Sequence, residues 1–451
     1  MRYDDYIYGV AGNSPKWNYD NAYISKDVKS YKDGTIGSPF IIIPLGYLFT
    51  KINIIYPINI IIARILIHIL LLFSLFYFYK SIFSDTNKSL FAIILTYFLP
   101  SFSYYPLKIL NYYGLISDKN VLKSIYVFTF LQPSVYGGLA ISFGLFALGS
   151  LFNHKKILIK DSLLLMFGVF SHPVVGSIYL VIYLFFVIYF KIKNIYLLLP
   201  ILIGFFPWLF IMKDIAKEYL GFQVNTFTVQ QTLYAIGIFF LQFGLYFLLV
   251  LYIWYFENIK IPPWQWLFFL IIFILTLIPE TKFSLIRSSY LKVPLLVSLS
   301  IILANWFFSN NKKIFSQNIK KYSLIIILIF GTLSLLTSFY YLSISTLSLK
   351  NQEINLLKKL KTMPDGVVIA SSELSLFIPS LSNKMVLLGE CCGNEKKENI
   401  IFYQSLLEGK ANKEFQYVTN ISYLVAPCNS TPNLNFKLIE KEDFICLWSK
   451  K

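Results

Sequence analysis

DSLLLMFGVF-SHP-VVGSIYLVIYLFFVIYF, residues Asp161–Phe190, decides how the chain is threaded. Outside its first residues and the Ser171-His172-Pro173 break it is apolar but for Ser177 and its tyrosine hydroxyls. Proline has no backbone N–H and pushes the residue before it out of helical geometry. The stretch is therefore either one kinked helix or two helices joined by a tight turn, and lysine placement arbitrates. With a turn, loops 80–88, 153–160, 191–193, 257–262 and 310–321 share one side of a membrane and carry twelve lysines in 38 residues. The opposite loops, 106–126, 213–231 and 280–288, carry seven Lys or Arg in 49. A single span would move Lys191, Lys193, Lys260 and the 312–321 cluster across and erase the bias. The positive-inside rule selects the turn.

Working outward from that break, further apolar stretches occupy 57–79, 89–105, 127–152, 194–212, 232–256, 263–279, 289–309 and 322–344, giving ten spans with 161–171 and 173–190. A chain that is 56% hydrophobic and 14% charged belongs with polytopic membrane proteins. The net charge of +17 invites a nucleic-acid reading, but its lysines lie between apolar runs, where anionic headgroups account for them. No nucleic-acid motif competes. The expected fold is an all-α membrane bundle over 57–344, preceded by an extracytoplasmic loop with an interfacial helix (1–56) and followed by a small extracytoplasmic α/β domain (345–451). Both chain ends lie outside the cytoplasm of a plasma or inner membrane. The N-terminal tail carries Arg2, Lys16, Lys26, Lys29, Lys32 and Lys51, a charge that a free tail would keep in the cytoplasm. That conflict points to a further helix ahead of Met1.

In the C-terminal part, Asn351–Lys361 places Ile354, Leu357 and Leu360 on one helical face. Strands are expected at 366–370, 384–388, 422–426, 436–439 and 444–448, with helix near 395–407. All four cysteines fall here. The vicinal pair Cys391-Cys392 lacks zinc-knuckle spacing, and no histidine follows His172. The choice is between free thiols and a disulfide of Cys428 with Cys391 or Cys392 in an oxidising compartment.

The tail opens on Arg2-Tyr3-Asp4-Asp5-Tyr6, an acidic pair bracketed by tyrosines. Carboxylates at a membrane face serve as a base, a metal ligand or a phosphate-repelling gate; near a terminus they are more often only solvated. Then come Gly37-Ser38-Pro39-Phe40, Pro44-Leu45-Gly46-Tyr47 and, early in the next span, Ala63-Arg64-Ile65. This order resembles the GT-C superfamily of polytopic glycosyltransferases, which includes protein O-mannosyltransferases and lipid A aminoarabinose transferases. So do Gln132-Pro133, the glycine-rich helix after it, Ser171-His172-Pro173 and the appended α/β domain. The resemblance covers the layout of most of the chain; the family's first helix, which presents the acidic pair, is the departure.

The resemblance implies transfer from a polyprenyl-phosphate sugar donor to a glycan, lipid or protein hydroxyl on the outer face. Such chemistry needs a carboxylate to take the acceptor's proton and cations to stabilise the leaving phosphate. Asp5 is expected as base or metal contact, with Asp4 as helper and Mg or Mn as the metal the pair would hold. Lys282 and Arg287, with Tyr290, are candidate phosphate contacts, or an ordinary interfacial anchor. Arg64 lies inside a span, where a charge is either functional or snorkels to the interface. His172 contacts substrate or is satisfied by backbone, and Tyr6 offers a sugar-stacking ring. The rivals are a transporter or lipid-linked-sugar flippase, which would carry ionisable groups at midplane, and a non-catalytic envelope protein.

Overall fold

The computed structural model describes residues 58–99, 135–206, 246–257, 259–277, 288–309, 314–343, 351–371, 403–408, 421–430 and 436–450, with a few isolated positions besides. They divide into two compact units: a helical bundle between Leu66 and Ser343, and a unit that holds the C-terminal α/β segment and takes in Ile58–Ile65 and Phe206 as well. The bundle contains α1 (Ile58–Phe83), α2 (Thr86–Phe98), α3 (Val135–His154), α4 (Ile159–Ser171) and α5 (Pro173–Tyr189), followed by a 3-10 turn at Ile195–Leu198. Then come α6 (Tyr246–Phe256), α7 (Pro263–Leu277), α8 (Ser288–Phe307) and α9 (Ile314–Ser343). Each of the ten apolar stretches contains helix among its described residues. Among the described residues, Ile65–Phe83 and Gly137–His154 are long and apolar enough to cross a membrane; Val174–Tyr189, Pro263–Leu275 and Val293–Phe307 are apolar but shorter.

The break at His172 is sharp. Its backbone is extended (φ −153°, ψ 104°), ending α4 and starting α5, with Pro173 in the first turn where its missing N–H costs nothing. His172 Nδ1 accepts the Val175 N–H at 3.3 Å, so the imidazole caps α5. The hairpin closes tightly because residue 176 is glycine: a Cβ there would lie 2.5 Å from Val169 N and Cα. Gly144 of α3 plays the same part under Tyr179, whose ring would stand 2.4–2.5 Å from an added Cβ. Small residues at such crossings let helices approach closely, as in membrane bundles.

Helices α3, α4 and α5 pack on one another, α7 packs on α8, and α2 packs on both α8 and α9. Phe152 of α3, Phe186 of α5 and Trp264 of α7 form an aromatic knot with centroids 4.8–5.6 Å apart. Tyr79 and Thr96 hydroxyls lie 2.6 Å apart, and Thr96 donates to Ser300 Oγ at 2.9 Å, which ties α1, α2 and α8 together through buried hydroxyls. Each hydroxyl finds a partner where no water competes, the condition for a polar group in an apolar interior.

The C-terminal unit begins with α10 (Asn351–Lys361), on which Leu356, Leu357 and Leu360 are buried. A five-stranded sheet follows: β1 (Val367–Ile369), β2 (Met385–Val386), β3 (Ile421–Pro427), β4 (Phe436–Glu442) and β5 (Ile445–Lys450), in the order β2-β1-β3-β5-β4. The first three are parallel and the last two antiparallel to their neighbours. Helix α10 packs on β4 and β5, where Lys359 pairs with Glu440. Ile369, Leu424, Trp448, Tyr403 and Leu406 form a core cluster of this unit. Burial pushes the Tyr403 pKa up to about 12, so the phenol stays protonated and donates to the Val425 carbonyl at 3.4 Å.

The expected pairing of Cys428 with Cys391 or Cys392 is corrected here: Cys428 is bonded to Cys446. The β3–β5 register is the reason. Ala426 sits opposite Cys446, and Cys428, two residues on, returns to the same face, with its N–H donating to the Phe444 carbonyl and the two Cα atoms 4.9 Å apart. Cys391 and Cys392 lie outside the described residues. The bridge closes a loop with a sequence separation of 18. Cys428→Ser is expected to cost about 3 kcal/mol in denaturant unfolding of the intact chain, by the loop-entropy argument. Cys391→Ser should leave that midpoint unchanged.

Candidate functional site

The short connections sort the bundle into two unlike ends. Turns 84–85, 155–158, 190–194 and 259–262, with the end of α8 and the start of α9, gather at one end, and most of the lysines among the bundle's described residues stand there. Polar side chains lock this end. Lys88 Nζ donates to Asn305 Oδ1 and Asn305 Nδ2 donates to Gln265 Oε1, both at 2.5 Å, linking α2, α8 and α7. Glu257, 6% exposed, accepts from Tyr252 OH at 3.0 Å and Ser316 Oγ at 2.5 Å, and Lys320 donates to the Ser309 carbonyl at 2.7 Å.

Asp161 is fully buried at the first turn of α4. Its Oδ2 accepts the Leu158 N–H at 3.0 Å and the Tyr183 hydroxyl at 3.1 Å, while Oδ1 has no hydrogen-bond partner among the described residues. The apolar reading of 161–171 passed over this group; a carboxylate three residues after a helix cap was the available signal. Its role is to tie α4 to α5. Tyr183→Phe is expected to lower stability by about 1–3 kcal/mol, the cost of removing one donor from a buried carboxylate. Thermal unfolding in detergent measures it, and a change below a few tenths would remove the tie.

The opposite end is where α5 and α8 begin and α2, α4 and α7 finish. His172 stands there at the α4–α5 break, half-buried. With Nδ1 accepting from backbone, the neutral ring carries its proton on Nε2 and is oriented as a donor from that atom. Arg64 is in the second turn of α1 and Tyr290 in the first turn of α8; their side chains are not among those described. Asp4, Asp5, Tyr6, Lys282 and Arg287 lie outside the described residues. Among the described residues no three His, Cys, Asp or Glu side chains come together to hold a metal; the pair expected to take Mg or Mn lies outside them.

No protein-family model matches the chain, and no curated protein does. Solved structures similar to it include the Archaeoglobus fulgidus oligosaccharyltransferase tethered through a disulfide to an acceptor peptide containing the NVT sequon. That match has TM-score 0.44 and 12% identity, and covers 94% of this chain and 64% of that one. The apo form of the same enzyme gives TM-score 0.38 and 13% identity, covering 94% and 65%. The archaeal oligosaccharyltransferase AglB from Archaeoglobus fulgidus, in complex with an inhibitory peptide and a dolichol-phosphate, gives 0.40 and 12%, covering 94% and 65%. The chain thus spans just under two thirds of the length of these proteins.

Proposed function

We propose that this protein is a membrane glycosyltransferase of the GT-C type, with ten spans, a cytoplasmic lysine-rich end and an outward-facing catalytic end. It moves a sugar from a polyprenyl-phosphate donor to a glycan, lipid or protein hydroxyl of the cell envelope. In the proposed step Asp5, helped by Asp4, takes the acceptor hydroxyl's proton as its oxygen bonds to the anomeric carbon. The bond from that carbon to the phosphate oxygen breaks, and the phosphate leaves with the electron pair, stabilised by Lys282 and Arg287. Arg64 and His172 offer further substrate contacts, Tyr290 stands with Lys282 and Arg287 at the phosphate, and Tyr6 offers the sugar a stacking ring.

The observation that carries this reading is the sorting of the bundle's ends. His172, at the α4–α5 break, and Tyr290, in the first turn of α8, belong to helix termini at the end opposite the lysines. The buried acids Asp161 and Glu257 are committed to structural bonds at the lysine end, away from the midplane where a transporter keeps its ionisable groups. A disulfide in the C-terminal unit accords with an oxidising compartment.

The test is the fate of the donor. Reconstituted protein, given the lipid-linked sugar pool extracted from native membranes, is expected to release free polyprenyl phosphate when an envelope acceptor extract is present. Intact donor moving between leaflets without cleavage would instead establish the flippase.

A further inference from the structure

We propose that the α3–α4 turn, the end of α5 and the 3-10 turn after it form a docking site for an anionic phospholipid. Its phosphate meets Lys155, Lys156, Lys160, Lys191 and Lys193, and its acyl chains lie on the apolar surface beneath. These segments form one surface. Lys155 Nζ sits 4.6 Å above the Phe152 ring and 3.8 Å above the Phe190 ring, so the α3–α4 turn abuts the end of α5. Ser162 Oγ of α4 donates to the Leu197 carbonyl of the 3-10 turn. All five lysines are exposed.

Within residues 150–206 no exposed acid offsets them. Asp161 is the sole carboxylate between residues 150 and 206, and it is fully buried and bonded to Leu158 and Tyr183. The C-terminal ends of α3 and α5 contribute partial negative charge, and Lys155 and Lys191 sit on those ends in the left-handed region, at φ 51° and 53°. Two cations answer the two helix ends, and three remain in surplus.

The occupant is a lipid because the cations border an exposed apolar stripe. Ile159, Leu163 and Phe167, spaced one turn apart on α4, are 64%, 40% and 44% exposed, and Ile159 directly precedes Lys160. Tyr196, 61% exposed, stands three residues after Lys193, an aromatic at the polar–apolar border. A free phosphate has no use for that stripe, and a zwitterionic headgroup brings an ammonium toward the lysines. A singly negative headgroup such as phosphatidylglycerol satisfies both parts.

Native mass spectrometry of the purified full chain with dioleoyl-phosphatidylglycerol or dioleoyl-phosphatidylcholine tests this, with thermal unfolding in parallel. Phosphatidylglycerol is expected to be retained and to raise Tm, while phosphatidylcholine and inorganic phosphate do neither. The variant K155Q/K156Q/K191Q/K193Q should bind phosphatidylglycerol about tenfold or more weakly; the corresponding four-arginine variant should bind it as the natural chain does. Should the glutamine variant fail to accumulate, salt decides on the natural chain: half-molar salt is expected to release the lipid by screening. Equal retention of the two lipids, a Tm rise with inorganic phosphate alone, binding indifferent to salt, or undiminished binding by the glutamine variant overturns the proposal.

Discussion

Asp5→Asn is expected to lower transfer by about 10²–10⁴-fold, the range for loss of a positioned general base, with the protein still inserting and unfolding at its natural temperature. Asparagine keeps the shape and removes the proton acceptor, so the loss should appear in the maximal rate with little change in the donor concentration for half-saturation. Asp4→Asn, in the helper role, should lose less. Equal rates for both variants and the natural chain would return the pair to the status of a solvated tail.

The largest effect on stability falls at the α4–α5 hairpin. Gly176→Val is expected to destabilise the bundle by about 3 kcal/mol or more, because the added atoms meet backbone and overpacking there cannot be relieved by a rotamer change. The atoms met are Val169 N and Cα at 2.5 Å and the Gly168 carbonyl carbon at 2.6 Å. Gly168→Ala is the control. Its Cβ would stand 3.5 Å from the Ala140 carbonyl oxygen, an ordinary contact, and alanine favours helix. Thermal unfolding should separate the two variants clearly; like midpoints would mean that the hairpin is looser than described.

Much of the architecture was legible one residue at a time, where a local rule acts alone. Pro173 forbids the helix to continue through His172, and the structure breaks there. The apolar spacing of Ile354, Leu357 and Leu360 marks α10, found over the expected Asn351–Lys361. Strands stand at 367–369, 385–386, 421–427, 436–442 and 445–450, overlapping the five expected. What the sequence concealed depends on register between distant segments. Cys446 becomes the partner of Cys428 only once β3 and β5 are aligned, and nothing in the spacing favours it over Cys391 or Cys392. Asp161 reads as the polar edge of a span until α5 brings Tyr183 against it. The links from Lys88 through Asn305 to Gln265 likewise join helices far apart in the chain. Of the expected site residues, His172 alone has a described side chain, and its Nδ1 bond to Val175 was one of the two roles open to it.

The proposed function requires the acidic tail and the Lys282–Arg287 segment to share the outward end. Paired cysteines test this directly: Asp5→Cys with Arg287→Cys in one chain, treated in native membranes with a short bismaleimide and mapped by peptide mass spectrometry. The account predicts a 5–287 bridge that the lipid-linked donor pool protects against. No bridge to residue 287, with the thiol introduced at position 5 joined instead to a cysteine placed in the 155–158 turn, would set the acids at the lysine-rich end and contradict it.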